Sequence, residues 1–299
     1  GTMRVSTVQT LAAYLDDEIT AMPNLVTVGA TGTSSAVAGI PFYRGDGNNS
    51  SIYTHDVSGT DSTAQYNTGY GITSLDAITT GDKNTAIGNA AGSALTEATD
   101  SVLVGYESGA AITTGIKNVA VGSFSLDALN TGSENTAIGH QALTSDTKGG
   151  RNVAIGHGTL STQNFTSATS SYNIAVGYNA LNLNTTGPNN VAVGALALDA
   201  NTTGGTNVAV GRGSLGANTT ASNNVAIGDL SMVANTEGHS NTAIGKGTLG
   251  ANTTGTSNTA VGCDALANNT TAGANTAVGR NSLRDNTTGS DNTAVGESS

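Results

Sequence analysis

Two histidines (His140, His157), two aspartates (Asp229, Asp264) and one cysteine (Cys263) are the residues whose types and spacing first suggest chemistry. His140 and His157 lie 17 residues apart, and the chain repeats at that same step, so both fill one position of neighbouring repeats. Imidazoles stacked at the ~4.8 Å spacing of paired strands form a column. Three chains around an axis would bring three His per layer together, enough to hold a metal ion or an anion. Asp229 and Asp264 each lie just beyond a repeated glycine, but two repeats apart and at different positions. That is not the convergent arrangement catalysis needs. No Ser-His-Asp or Cys-His order stands out, and neither the EF-hand loop nor the calcium-binding nonapeptide occurs. The expectation is a protein without catalytic residues or cofactor, with His140 and His157 as its candidate ion site.

The repeat is what must position these groups. Asn84-Thr85-Ala86-Ile87-Gly88 recurs from Asn118, Asn135, Asn152, Asn173, Asn190, Asn207, Asn224, Asn241, Asn258, Asn275 and Asn292, with Ser101 filling the one gap and Asn67 starting a weaker copy. The step is 17 residues except between Asn152 and Asn173, where it is 21. The consensus, N-[TV]-A-[VI]-G-x-x-[SA]-L-x-x-N-T-T-G-x-x, defines slots 1 to 17. Slot 4 is Ile or Val in all 13 clear copies, as a strand prefers, and slot 5 is always Gly. Slots 1–5 are therefore predicted to be a short strand, and slots 8–9 a second short apolar stretch. Asn-Thr-Thr-Gly at slots 12–15 is turn chemistry, in which Asn bonds its own backbone and Gly supplies positive φ. The Asn-Thr-Thr sequons (Asn184, Asn201, Asn218, Asn252, Asn269, Asn286) are by-products of that turn.

Composition makes the repeat necessary. Gly, Thr and Asn supply 120 of 299 residues, Leu, Ile, Val and Phe only 56, and there is no Trp. Without repetition such a chain falls near the disordered class. Stacked repeats bury a shared core that one repeat cannot bury alone. The predicted fold is all-β, a parallel β-roll or β-solenoid of 17-residue coils over residues 67–299. The net charge of -11 and the lack of a basic cluster argue against nucleic acid or an anionic membrane. No apolar run suits membrane insertion, and Asp16, Asp17 and Glu18 stand where a signal peptide would be apolar.

Two observations suggest assembly. Slots 2–5 hold no charged residue in 13 copies, so one face of the strand, led by Ala, is expected to pack on another chain. Val5, Val8, Ala12, Leu15, Ile19 and Met22 follow a 3-4 spacing, which predicts a coiled-coil helix over residues 1–23, ended by Pro23. Residues 24–66 are read as a small non-repetitive β-region. The expected state is a homotrimer.

The N-[TV]-A-[VI]-G-x-x-[SA]-L unit resembles the head repeats of trimeric autotransporter adhesins. With its Asn-Thr-Thr-Gly turn, it resembles still more the repeat arrays of bacteriophage tail fibres. The resemblance spans about three quarters of the chain and is strong for architecture. It implies a homotrimeric attachment fibre, part of a virion, that binds a bacterial surface receptor, most readily a glycan. The alternative is a trimeric adhesin on a bacterial cell surface. An ice-binding solenoid and a polysaccharide-cleaving tailspike are lesser readings.

Receptor contact is expected where the period breaks. The segment 162–172 has four residues too many and carries Phe165 and Tyr172. Either these rings project with the loop, suited to sugar stacking, or they fold back and cover the break. The competing receptor-binding cluster is Phe42, Tyr43 and Tyr53.

Overall fold

A computed structural model describes residues 51–54 and 63–299 in full, together with the backbone of Ser35–Val37 and Ile40–Arg44. The repeats build a parallel β-solenoid of fourteen coils. Each coil contributes one three-residue strand, from Thr68–Tyr70 to Thr293–Val295, and each strand pairs in parallel with the next in unbroken register. Val208, Ala209 and Val210 face Val225, Ala226 and Ile227 of the following coil. At ~4.8 Å per coil, the stack is roughly 60 Å long.

The predicted second strand does not form. Slots 7 and 9 are turn residues with positive φ, as at Gln141 (57°) and Leu143 (53°). The left-handed region is costly for leucine, of order 1 kcal/mol or more per residue. Hydrogen bonding between coils continues through it all the same. The Leu143 amide donates to the Thr159 carbonyl at 2.9 Å, and the Thr185 amide to the Thr202 carbonyl at 2.9 Å. Each coil thus holds the next around most of its perimeter.

The strand's faces are also the reverse of the expectation. Slot 3 points inward and is wholly buried from Ala86 to Ala277, with Ala packed against the slot-9 Leu or Met side chains, except in one coil where Leu103 fills the space beside Gly92 and Gly109. Slots 2 and 4 point outward. The interior is too narrow to seat Ile or Val opposite Leu, so the small side chain goes in and the β-branched pair goes out. Slot-5 glycine is equally constrained. At Gly177, with φ 129°, an added Cβ would meet the Gly194 carbonyl group at 2.7 Å. Only a bare Cα lets the next coil approach.

The slot-1 asparagines form a buried ladder. Asn84 gives its amide N–H to the Asn67 Oδ1 at 2.8 Å and its Nδ2 to the Ala98 carbonyl at 2.8 Å. Ser101 keeps the ladder intact, because its Oγ accepts from the Asn118 amide at 3.3 Å. The sequon asparagines are structural too. Asn184, Asn201, Asn218, Asn252 and Asn269 are fully buried. Their Nδ2 groups donate to the carbonyl three residues on, as Asn201 does to Gly204 at 2.9 Å.

The described start of the solenoid is closed by three strands. β1 (Ser35–Val37) and β2 (Ile40–Arg44) are antiparallel, β2 pairs antiparallel with β3 (Ile52–Tyr53), and β3 runs parallel to Thr68–Tyr70. Tyr53 is wholly buried over the first coil. That coil has Gly69 in slot 3, where a Cβ would crowd the Tyr53 ring at 2.9 Å. Tyr53 is therefore a cap, not the exposed receptor contact its sequence setting suggested. The side chains of Phe42 and Tyr43, and the helix expected over residues 1–23, lie outside the described residues. Among the described residues no helix is long and apolar enough to cross a membrane.

Candidate functional site

The only change of period places polar and aromatic groups together at one corner of the stack. Four extra residues leave the coil between Phe165 and Ser170. The loop returns by pairing Thr169–Ser170 in parallel with Gly149–Gly150. Thr166, Ser167 and Ala168 are exposed. Phe165 is only 8% exposed and folds back over the break, whereas Tyr172 is 50% exposed. The two rings expected to act together are thus separated, one into the core and one onto the surface.

Arg151 organises the surface side. Its Nε meets Glu134 Oε2 at 2.7 Å, and its Nη1 donates to Ser170 Oγ at 2.6 Å and to Tyr172 Oη at 3.1 Å. The guanidinium carbon lies 5.7 Å from the Tyr172 ring centre, in cation–π range. The hydrogen bond from Arg151, followed by its charge, holds the Glu134 carboxyl below its ordinary pKa. A cleft of about 210 Å³ beside these groups is lined also by Lys148 and Thr169. An oriented guanidinium, a nearby ammonium, hydroxyls and an exposed ring suit recognition of a polar ligand.

Beneath the loop, a buried carboxylate joins the coils. Asp146 is fully buried. It accepts from the amides of Gly149 at 2.9 Å and Phe165 at 3.2 Å, and from Gln163 Nε2 at 2.7 Å. Gln163 Oε1 in turn accepts from Asn173 Nδ2 at 2.7 Å. Neither residue was singled out in the sequence. They fill slot 12 of two successive coils just before the extra residues, between the aliphatic side chains of earlier coils and the asparagines of later ones, and that change of residue type was the available signal.

His140 and His157 do stack on neighbouring coils, with centroids 5.3 Å apart and planes 17° from parallel. Parallel imidazoles at that spacing do not aim their lone pairs at one point. Among the described residues no group of three or more His, Cys, Asp or Glu side chains comes together within the chain. The pair belongs instead to a longer aromatic column. Phe124 packs on His140 and on Tyr106, and Tyr178 stacks on His157. Phe124 comes from slot 7 rather than slot 6, which hid the column from a slot-by-slot reading. At its far end, the Tyr106 hydroxyl is bonded to Glu107, which raises its pKa.

Fold and register together define a parallel β-solenoid repeat protein. Comparison with protein-family models, with curated proteins and with solved structures finds no match.

Proposed function

We propose that this chain is a non-enzymatic fibrous attachment protein, a homotrimer that adheres to a bacterial surface as a phage tail fibre. The observation that carries this reading is the outer face of the strand. Slots 2 and 4 present Thr, Val or Ile at every coil from Thr85 to Val295, with no charge anywhere along the stack. Ile87 (41%), Ile138 (39%) and Val193 (37%) are examples of its exposure. A continuous apolar strip of that length is unusual on a monomer and suits a partner surface. Three such strips facing one axis would bury each other and make a stiff rod. The resemblance to tail-fibre arrays supplies the receptor side of the reading, and the cleft beside Arg151 and Tyr172 is a candidate contact.

Sedimentation equilibrium is expected to give about three times 29.4 kDa. Val210→Glu buries unpaired charge at the proposed interface and is expected to dissociate the trimer. Thr220→Glu, on the exposed turn column, is expected to leave it intact. A monomer at micromolar concentration ends the interface argument. Adsorption of the labelled protein to a panel of bacteria tests attachment. A trimer that binds no cell removes it.

One observation favours a second reading. Thr242, Thr259, Thr276 and Thr293 stand in slot 2 on the outer face, paired in register on four successive coils beside Ile and Val. Such a face could bind ice. Thermal hysteresis lost in Thr259→Leu is the expected sign, and its absence in the parent chain dismisses the reading.

A further inference from the structure

Five exposed or half-exposed rings run in unbroken contact over five coils: Tyr106, Phe124, His140, His157 and Tyr178, with successive centroids 5.3, 6.0, 5.3 and 5.5 Å apart. The fold does not require them. The same corner is occupied by Ala195, Arg212, Asp229, Lys246 and Cys263 in later coils with the same strand register. Aromatics are 4% of the chain, so their gathering on one exposed corner is a local property of these coils. The column stops at Ala195. Directly below Tyr178, the next coil offers only this methyl group, with Leu196 beside it at 39% exposure. The Leu196 amide donates to the Tyr178 carbonyl at 3.0 Å, which fixes the two coils in register. One coil further, Arg212 pairs with Asp229 on the far side, Nε to Oδ1 at 3.0 Å. The column therefore ends at Tyr178, which is 55% exposed and is followed only by the small Ala195 and the half-exposed Leu196 of the next coil.

We propose that this column is a saccharide-binding track and that its exposed end seats a neutral sugar ring against Tyr178, beside Ala195. The chemistry favours that ligand. His140, His157 and Tyr178 are stacked and turn their edges outward, while Phe124 meets Tyr106 and His140 edge to face, so the track presents phenol and imidazole hydrogen-bonding atoms, flanked by the amides of Gln141 and Asn179. A sugar offers hydroxyls to such edges and an apolar C–H face to an open aromatic ring. Between Asn89 and Leu196 the two corner slots hold no Lys or Arg, and Glu107 is their only carboxylate. The nearest cation beyond the column, Arg212, is already paired with Asp229, so polyanionic glycans and phosphate-rich surfaces meet no uncompensated positive charge here. The track spans four coil steps, roughly 19 Å, long enough for several linked sugars. The proposal deepens the attachment reading and rests on it for biological meaning.

Saturation-transfer NMR on the full chain with maltohexaose, chitohexaose and a heparin hexasaccharide tests the track directly. At least one neutral hexasaccharide is expected to take up saturation, and heparin is not. Tyr178→Ala removes the stacking face and Ala195→Trp covers it. Each is expected to weaken binding roughly tenfold, the scale of one lost aromatic contact. Both positions accept varied side chains in other coils, and an unchanged thermal midpoint certifies the fold. No transfer from either neutral sugar, equal binding by both variants, or a preference for heparin overturns the proposal. Cell adsorption by the same proteins separates the two ideas. A parent that adsorbs to bacteria without binding sugar removes the track and keeps the fibre. A parent that binds sugar through Tyr178 but adsorbs to no cell keeps the track and removes the fibre.

Discussion

The first coils and the last coils share one backbone but fill it with opposite chemistry. At slot 12 the early coils bury Ile78, Leu95, Ile112 and Leu129, while the later ones bury an asparagine column that begins at Asn184. In the early half the column is a strip of aliphatic packing, of order 2 kcal/mol per buried side chain. In the later half each amide bonds the next, as Asn201 Nδ2 does to Asn184 Oδ1 and Asn218 Nδ2 to Asn201 Oδ1, both at 2.8 Å. Net stabilisation per hydrogen bond is smaller, about 1 kcal/mol, but a broken link leaves a buried polar group unpaired. The comparison teaches that a thin solenoid has two ways to fill its interior. Aliphatic packing tolerates variation in shape, and an amide ladder enforces register. Asp146 and Gln163 are the joint between them, at the one place where the period changes.

The joint is where the comparison is easiest to break. Asp146→Ala would strand the amides of Gly149 and Phe165 and the Gln163 side chain in the interior. The expected loss is about 3 kcal/mol, since each buried donor left unsatisfied costs about 1–3 kcal/mol and the interior can relax in part. Because coils interact chiefly with their neighbours, hydrogen exchange is the measurement that localises the loss. Coils around the break are expected to open first. A loss under about 1 kcal/mol would mean that the halves meet without a specific joint.

Exchanging the two fillings has effects of that size or smaller. Leu95→Asn places an amide between Ile78 and Ile112, where no stacked amide can satisfy it, and about 3 kcal/mol is expected from lost packing and an unpaired group. Asn218→Leu takes the donor from Asn201 Oδ1 and the acceptor from Asn235 Nδ2. About 2 kcal/mol is expected, since Leu recovers some burial. Urea unfolding of both variants checks the order. Equal tolerance of both exchanges would show that slot 12 has no preferred chemistry in either half.

Much of this was legible because repetition amplifies weak signals. Thirteen β-branched residues at slot 4 and an unvarying slot-5 glycine located the strand and its end, and the 17-residue step gave the coil. The orientation of the strand was not legible, since Ala and Val are both apolar and only the interior's width decides which one faces in. The left-handed leucine at slot 9 escaped because leucine carries no preference for positive φ. The neighbouring coils impose that conformation. The change at slot 12 lay in plain view at Ile78, Leu95, Ile112 and Leu129, but a consensus averages over copies and erased it. Of the site, the break itself was readable. Glu134 and Arg151 share slot 17 and were open to the same reading as His140 and His157, but Tyr172 was not, because the four extra residues move it out of that register.

The smallest effect concerns two carboxyls at one slot in opposite halves. Asp127 and Asp199 both occupy slot 10, and burial raises the pKa of each above its ordinary 3.8. A raised carboxyl binds its proton more readily in the folded chain than in the unfolded one. Its contribution to stability therefore improves as pH falls from neutral through the raised folded pKa, and levels off below the ordinary value. The next coil sets the difference. Asp127 Oδ1 accepts the Thr144 hydroxyl at 2.5 Å, which partly offsets burial, whereas Gly216 lies below Asp199 and offers no hydroxyl. Asp199→Asn is thus expected to raise the thermal midpoint at about pH 7 and to reduce its rise between about pH 7 and pH 4.5. Asp127→Asn is expected to gain less, because it trades a charge-assisted hydrogen bond for a neutral one. Thermal midpoints of the parent and both variants across that range are the check. If both variants keep the parent's pH slope, burial of these two carboxyls is not what shapes it. If Asp127→Asn gains as much as Asp199→Asn, the Thr144 contact does nothing to distinguish the early coils from the late ones.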